Sequence, residues 1–288
     1  MTLIDRIMLF FTASGETPVT FGWVHIVAFL IFISATFFIC RHLYSAEDKY
    51  YRRFLLISWI VLFSLELYRQ LCFSYEYNDG APYWDYAWYQ FPFQICSGPL
   101  YTLLPIALLK DGRVRHALMA YMATFSMFGG IAVMIYPSDI FCSYIGINIQ
   151  SLIHHGLQAA IGILTLIRLR DKLNYRTLIS AMCAFVCALG IAMTLNLSVH
   201  AALVANGMDD TFNMFFISPY HPCTLPILSL VRDAIPYPLF LITYIVGFGI
   251  VASIMLYGGR FIIETTSKIL ENIRKRKNGD EAEPDAEE

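Results

Sequence analysis

Cys96, His155, His154, His25 and Glu66 are the side chains here whose types carry nucleophilic, proton-transfer or metal-binding chemistry. Cys96 stands in FPFQICSGPLYTLLP, residues 91–105, beside Gln94, Ser97 and Gly98 and among Pro92, Pro99 and Pro105. That is an odd composition for an apolar helix. Glu66 and Gln70 are spaced i, i+4 and share a helix face. Asn148, Ser151, His155 and Gln158 follow i, i+3, i+7 and i+10, which makes one polar stripe. His154 lies about 100° round the helix from His155, so His155 is the better placed of the two for a pocket. Asn196, His200 and Gln150 complete the polar set. Each residue also has a plain structural reading. Glu66 can pair with Arg69 at i, i+3, His25 and His200 can bridge helices, and a lone cysteine can simply pack.

The elements that must position these groups are membrane helices. The 288 residues are 57% hydrophobic and only 15% charged, against about a quarter charged in a soluble domain, and the mean hydropathy is +0.57. A helix crosses the bilayer core with about 20 apolar residues. Seven stretches qualify, near 20–40, 54–73, 91–109, 115–135, 145–167, 177–205 and 236–258. The first starts late and has no basic leader or small-residue cleavage site, so it is expected to be retained. Loops at 41–53, 110–115 and 168–176 and the tail are rich in Lys and Arg. Loops 74–90 and 136–144 have none, and 206–235 has only Arg232. This alternation predicts an all-α polytopic membrane bundle of seven transmembrane helices, N-terminus outside and C-terminus cytoplasmic. The expected organisation is an outer interfacial segment over 1–19 with a short helix at 3–11, a seven-helix domain over 20–260, and a cytoplasmic tail over 261–288, basic and then acidic and disordered. In that topology the polar groups gather in the outer half, which predicts a pocket opening outward. Cys183 and Cys187 read as packing residues, and a disulfide between the outer-loop Cys142 and Cys223 stays open. No basic stripe points to nucleic acid, and no internal repeat points to a two-half transporter.

Several motifs, in order, resemble the YwaF-like bacterial integral membrane proteins. FGWVH ends in His25, ELYRQ holds Glu66 and Gln70, and FPFQICS matches a Leu-Pro-Leu-His-Leu-Cys-Ser type motif at Cys96. FGGIAVMIYP, SLIHHG with His155, FNMFFISP and IPYPLF follow. The likeness covers about residues 18–250. Gln94 departs from it by standing where His is usual, and Tyr237 and Leu239 replace tryptophans. That family shares ancestry with a mammalian multispanning acyltransferase of ether phospholipids, and more remotely with hydrolases of fatty acid esters of hydroxy fatty acids.

The resemblance implies acyl transfer or hydrolysis of lipid esters in the cell membrane, with Cys96 as nucleophile and His155 as its base. The residues permit that chemistry. Cys96 follows Pro92 near an expected helix start, where free N–H groups and the dipole favour a thiolate or hold an oxyanion. Glu66, Gln70, Gln94, His25, His154 and Asn196 would orient the imidazole or bind substrate. Membrane lipids are the expected partners, and no cofactor or metal is expected. Two alternatives remain: an intramembrane zinc hydrolase using His25, Glu66, Cys96 and His155, and a non-catalytic transporter or sensor that binds a small polar or lipidic ligand in the same pocket.

Overall fold

A computed structural model describes residues 2–78 and 81–280. Five helical stretches are long and apolar enough to cross a membrane: Trp23–Leu43, Asp48–Ser74, Arg113–Ile135, Tyr175–Ala205 and Tyr237–Ile273. They belong to α2 (Trp23–Leu43), α3 (Asp48–Ser74), α5 (Arg113–Tyr121) with α6 (Met127–Ile135), α8 (Tyr175–Ala205) and α10 (Tyr237–Asp280). α1 (Leu3–Phe11) is the short amphipathic helix expected at 3–11, capped by a reciprocal Thr2–Asp5 box. A small hairpin, β1 (Tyr75–Asn78) with β2 (Ala81–Trp84), follows α3, and a short α9 (Leu228–Arg232) precedes α10.

Two of the seven expected spans depart from that pattern. α4 (Gly98–Leu108) has 11 residues, too few to cross the bilayer core alone. It is short because Phe91–Gln94 is irregular and Ile95–Ser97 is a 3₁₀ turn. Pro99, not Pro92, occupies the first helical turn, where its missing N–H costs nothing. α7 (Ile145–Arg168) has 24 residues, long enough to cross, but its polar side chains hold its hydropathy down. It is the centre of the bundle and packs on α2, α3, α6 and the turn before α6. Asn148, Gln150, Ser151, His154, His155 and Gln158 are therefore all buried, where a single stripe was expected. The side of α7 left exposed is apolar instead, at Ile145, Ile149 and Ile153.

α7 sits close to α6 because both carry glycine at the crossing. A Cβ on Gly130 would lie 2.7 Å from the Ala159 nitrogen, and one on Gly162 would lie 2.5 Å from the Met127 Cβ. Between α5 and α6 the helix widens into a π turn, Met122–Ser126. Insertions of this kind recur at functional sites.

The loops sort to two ends. At one, Asp48 receives Arg52 and Arg115 (2.8 Å), with Arg168 4.0 Å away. These arginines also donate to carbonyls that close α2 and α4: Arg168 to Leu43 (2.7 Å), Arg52 to Ala107 (3.0 Å) and Arg115 to Ile106 (2.9 Å). Guanidinium groups thereby satisfy the orphan carbonyls of helix C-termini. At the other end, α1, the hairpin and the 136–144 loop meet. Tyr75 donates to Asp5 (3.3 Å), and Gly15 N–H donates to Ser143 (2.8 Å).

The 206–235 loop does not stay on the surface. Phe212, Met214, Phe215 and Ile217 are buried with Phe125, Phe185, Phe240 and Tyr244. Phe215 and Phe216 take positive φ values of 56°, a region that costs a non-glycine residue about 1–2 kcal/mol. α10 continues as helix through Asp280, past the expected start of the tail at 261. Residues 281–288, which carry its acidic part, lie outside the described residues.

Candidate functional site

A polar cluster lies where α3, the turn before α4 and α7 meet. On α3, Glu66 is 5% exposed and accepts from Arg69 (2.9 Å) and Gln70 (2.6 Å). Arg69 and Gln70 also donate to the Gln90 carbonyl, at 3.1 and 2.7 Å. The pairing of Glu66 with Arg69 and the shared face with Gln70 both hold. The buried carboxylate is neutralised and saturated with donors, as burial requires. Gln90, absent from the expected set, is the anchor that ties this triad to the loop leading to Cys96. The spacing of α3 could not reveal a partner on a loop.

Cys96 is half-buried in the 3₁₀ turn. The Ser97 N–H donates to Gln94 (2.9 Å) and the Gly98 N–H to Ile95, and Pro99 has no N–H. These two amides are engaged in the turn itself.

Of the two α7 histidines, His154 reaches the cysteine segment. Its Nε2 lies 3.1 Å from the Cys96 carbonyl. A carbonyl only accepts, so Nε2 carries the proton and Nδ1 presents a lone pair. That Nδ1 is buried and without a partner. His155 instead donates from Nδ1 to the Ser151 carbonyl one turn earlier (2.8 Å). The two rings are 5.2 Å apart. The helical angle that separated them could not say which meets the Cys96 segment, because both fall on the broad buried side of α7, away from the exposed Ile149 and Ile153.

Four residues singled out in the sequence have their polar atoms engaged elsewhere. His25 donates from Nε2 to Met134 (2.9 Å) and accepts the Phe21 N–H on Nδ1 (3.0 Å). Gln94 donates to the Asn213 carbonyl (2.9 Å) and accepts the Phe215 N–H (2.8 Å). Asn196 donates to the Met214 carbonyl (3.0 Å) and accepts the Met214 N–H (2.7 Å). Asn148 closes a similar loop on Cys142. Gln94 and Asn196, with Tyr244 on the Phe215 carbonyl (2.8 Å), suspend the buried loop over the bundle. They pair irregular backbone that lipid would leave bare.

That loop carries a second polar group. Asp210 Oδ2 accepts from His200 Nδ1 (2.5 Å) and His221 Nε2 (2.9 Å), and Tyr220 stacks on His200. Burial raises the Asp210 pKa, but the bonds from His200, the Phe212 N–H and His221 outweigh it and hold the carboxyl below its ordinary range. His221 and Asp210 were missed because loop partners have no periodicity to read.

Among the described residues no group of three or more His, Cys, Asp or Glu could hold a metal ion, so the four residues of the zinc alternative are not gathered as a ligand set. All seven cysteines are free, Cys142 and Cys223 included. Two cavities lie away from the cluster. One of about 250 Å³ adjoins Asp48, Arg115, His116 and Lys172 in the ion-paired end. The other, about 360 Å³, is an apolar groove of Phe32, Phe37, Ile163 and Ile167.

The sequence profile of the TMEM164 family matches residues 20–257. No curated protein and no solved structure matches the chain.

Proposed function

The chain belongs to the TMEM164 family and is a multi-pass membrane protein, and from that premise we propose that it acts on lipid acyl esters through Cys96. The carrying observation is the seating of His154: its proton is fixed on the Cys96 carbonyl and its free lone pair is buried beside the cysteine segment. An imidazole in this tautomer is neutral and offers its lone pair at Nδ1. It takes the thiol proton as the sulfur attacks the ester carbonyl, then returns it to the departing alcohol. His155, whose ring adjoins His154, is the second candidate for that proton. The Glu66–Arg69–Gln70 triad positions the loop through Gln90. Kinship to the YwaF-like proteins and to the ether-phospholipid acyltransferase belongs to this reading.

The reading also takes the irregular segment from Phe91 together with α4 as the third of seven spans in the cell membrane, and α7 as the fifth. The N-terminus and the site lie outside, and the C-terminus is cytoplasmic. Its support is the sorting of loops: the basic segments meet around Asp48, and the segments poor in Lys and Arg meet at the opposite end.

The test is lipidomics of membranes that overexpress the protein or its Cys96→Ala, His154→Ala and His155→Ala variants. The expected result is an altered acyl composition with the unmodified protein, lost in Cys96→Ala and His154→Ala. Identical compositions throughout would sink the reading. A Cys96 that stays inert toward a lipid-like electrophile would favour a non-catalytic transporter or sensor.

A further inference from the structure

Three buried polar atoms on α7 and the π turn have no partner within the protein: His154 Nδ1, Gln158 Oε1 and Ser126 Oγ. Native proteins rarely leave such atoms bare, because each forfeits its bonds to water. Their residues are 4%, 0% and 0% exposed. Their residues also lie on neighbouring elements. His154 and Gln158 are one turn apart on α7 and share a face. Gln158 Nε2 donates to the Ser126 carbonyl at 2.8 Å, which fixes its amide with the oxygen left over. Ser126 ends the π turn. A Cβ at Gly129 would lie 3.4 Å from Gln158 Nε2 and 4.0 Å from the Ile95 side chain. Glycine there leaves a gap between Gln158 and the residue before Cys96.

The donor and acceptor pattern is specific. His154 Nδ1 and Gln158 Oε1 can only accept, while Ser126 Oγ can donate. A hydroxyl group has the complementary character. We propose that His154, Gln158 and Ser126 form the binding site for one hydroxyl group, of a water molecule or of an alcohol, that discharges an acyl group from Cys96. This inference rests on the acyl-ester reading above and names its acceptor. In the step, the hydroxyl oxygen attacks the carbonyl carbon of the Cys96 thioester as its proton passes to His154 Nδ1. The carbon–sulfur bond breaks, the acyl group leaves on the new oxygen, and the proton moves from Nδ1 to the Cys96 thiolate. With water the product is a free fatty acid. With an alcohol it is a new ester.

The experiment uses the full chain in lipid vesicles with a phospholipid carrying a labelled acyl group. Acyl-Cys96 is followed by intact mass, with and without added lysophospholipid. Ser126→Ala and Gln158→Leu are expected to accumulate acyl-Cys96, its breakdown slowed about tenfold, the effect of roughly one lost hydrogen bond. Labelled fatty acid in vesicles alone identifies water as the hydroxyl source. Labelled diacyl lipid formed only with lysophospholipid identifies the alcohol. Equal breakdown in both variants and the unmodified protein overturns the inference and leaves the Cys96 reading standing. Absence of any acyl-Cys96 in the unmodified protein and in both variants removes both.

Discussion

Replacing Asn196 with alanine is expected to cost about 2–6 kcal/mol of stability. Asn196 is fully buried and bonds both backbone groups of Met214, which is itself fully buried. Alanine strands that N–H and that carbonyl together. Each buried polar group left unpaired costs about 1–3 kcal/mol, and the two add to the stated range. Asn196→Asp buries a carboxylate against the stranded Met214 carbonyl, so at neutral pH a loss at least as large as that of alanine is expected. Gln94 holds the flanking Asn213 carbonyl and Phe215 N–H. The pair Asn196→Ala and Gln94→Ala should therefore be non-additive, since the first release already frees the loop on which the second acts. Equilibrium denaturation in a mild detergent measures all four values. A loss below about 0.5 kcal/mol for Asn196→Ala would refute the reasoning, because it would mean that the Met214 backbone needs no side-chain partner.

Other substitutions probe the remaining supports. Gly162→Ala forces a Cβ to within 2.5 Å of the Met127 Cβ, so α6 and α7 must part. A loss of about 1–3 kcal/mol is expected, and unchanged denaturation would contradict the packing. Arg69→Ala leaves the Glu66 carboxylate buried without its cation. A loss of about 3 kcal/mol is expected, largely recovered when Glu66→Gln is added, and the double variant's denaturation midpoint checks it. Asp210 has a folded pKa below its ordinary value. Its contribution is complete above the usual carboxylate range near pH 4 and is lost as pH falls through the folded value. Asp210→Asn should flatten the acid limb of a stability–pH curve, and an unaltered limb counts against the two-histidine contact.

Hydropathy made the long helices legible, because α2, α3, α8 and α10 are apolar over a bilayer's thickness and nothing in their sequences competes with that signal. It served less well for the third and fifth segments. Pro92 and Pro99 are both compatible with a helix start, and the choice of Pro99 depends on the 3₁₀ turn before it. Residue spacing placed Glu66 with Gln70 and Arg69, since all lie on one helix and i, i+3 and i+4 neighbours meet whatever surrounds them. It could not separate His154 from His155, because the buried side of α7 is broad enough to take both, leaving only Ile145, Ile149 and Ile153 exposed. The buried course of FNMFFISP was hidden for another reason. A loop's path is set by distant partners, here Gln94, Asn196 and Tyr244. The one available clue was that Asn196 and Gln94, polar residues in apolar surroundings, needed something to bond.

The length of α10 has a structural consequence. Its 44 residues form one helix, about 66 Å long at 1.5 Å per residue, roughly twice the hydrocarbon thickness of a bilayer. Near its start, Tyr244 grips the Phe215 carbonyl. Its far end reaches beyond the bundle. The helix that pairs the Phe215 carbonyl thus also carries the exposed Arg260–Glu264 and Lys275–Glu271 pairs. One continuous helix thereby joins the buried 206–235 loop to a charged segment outside the bundle.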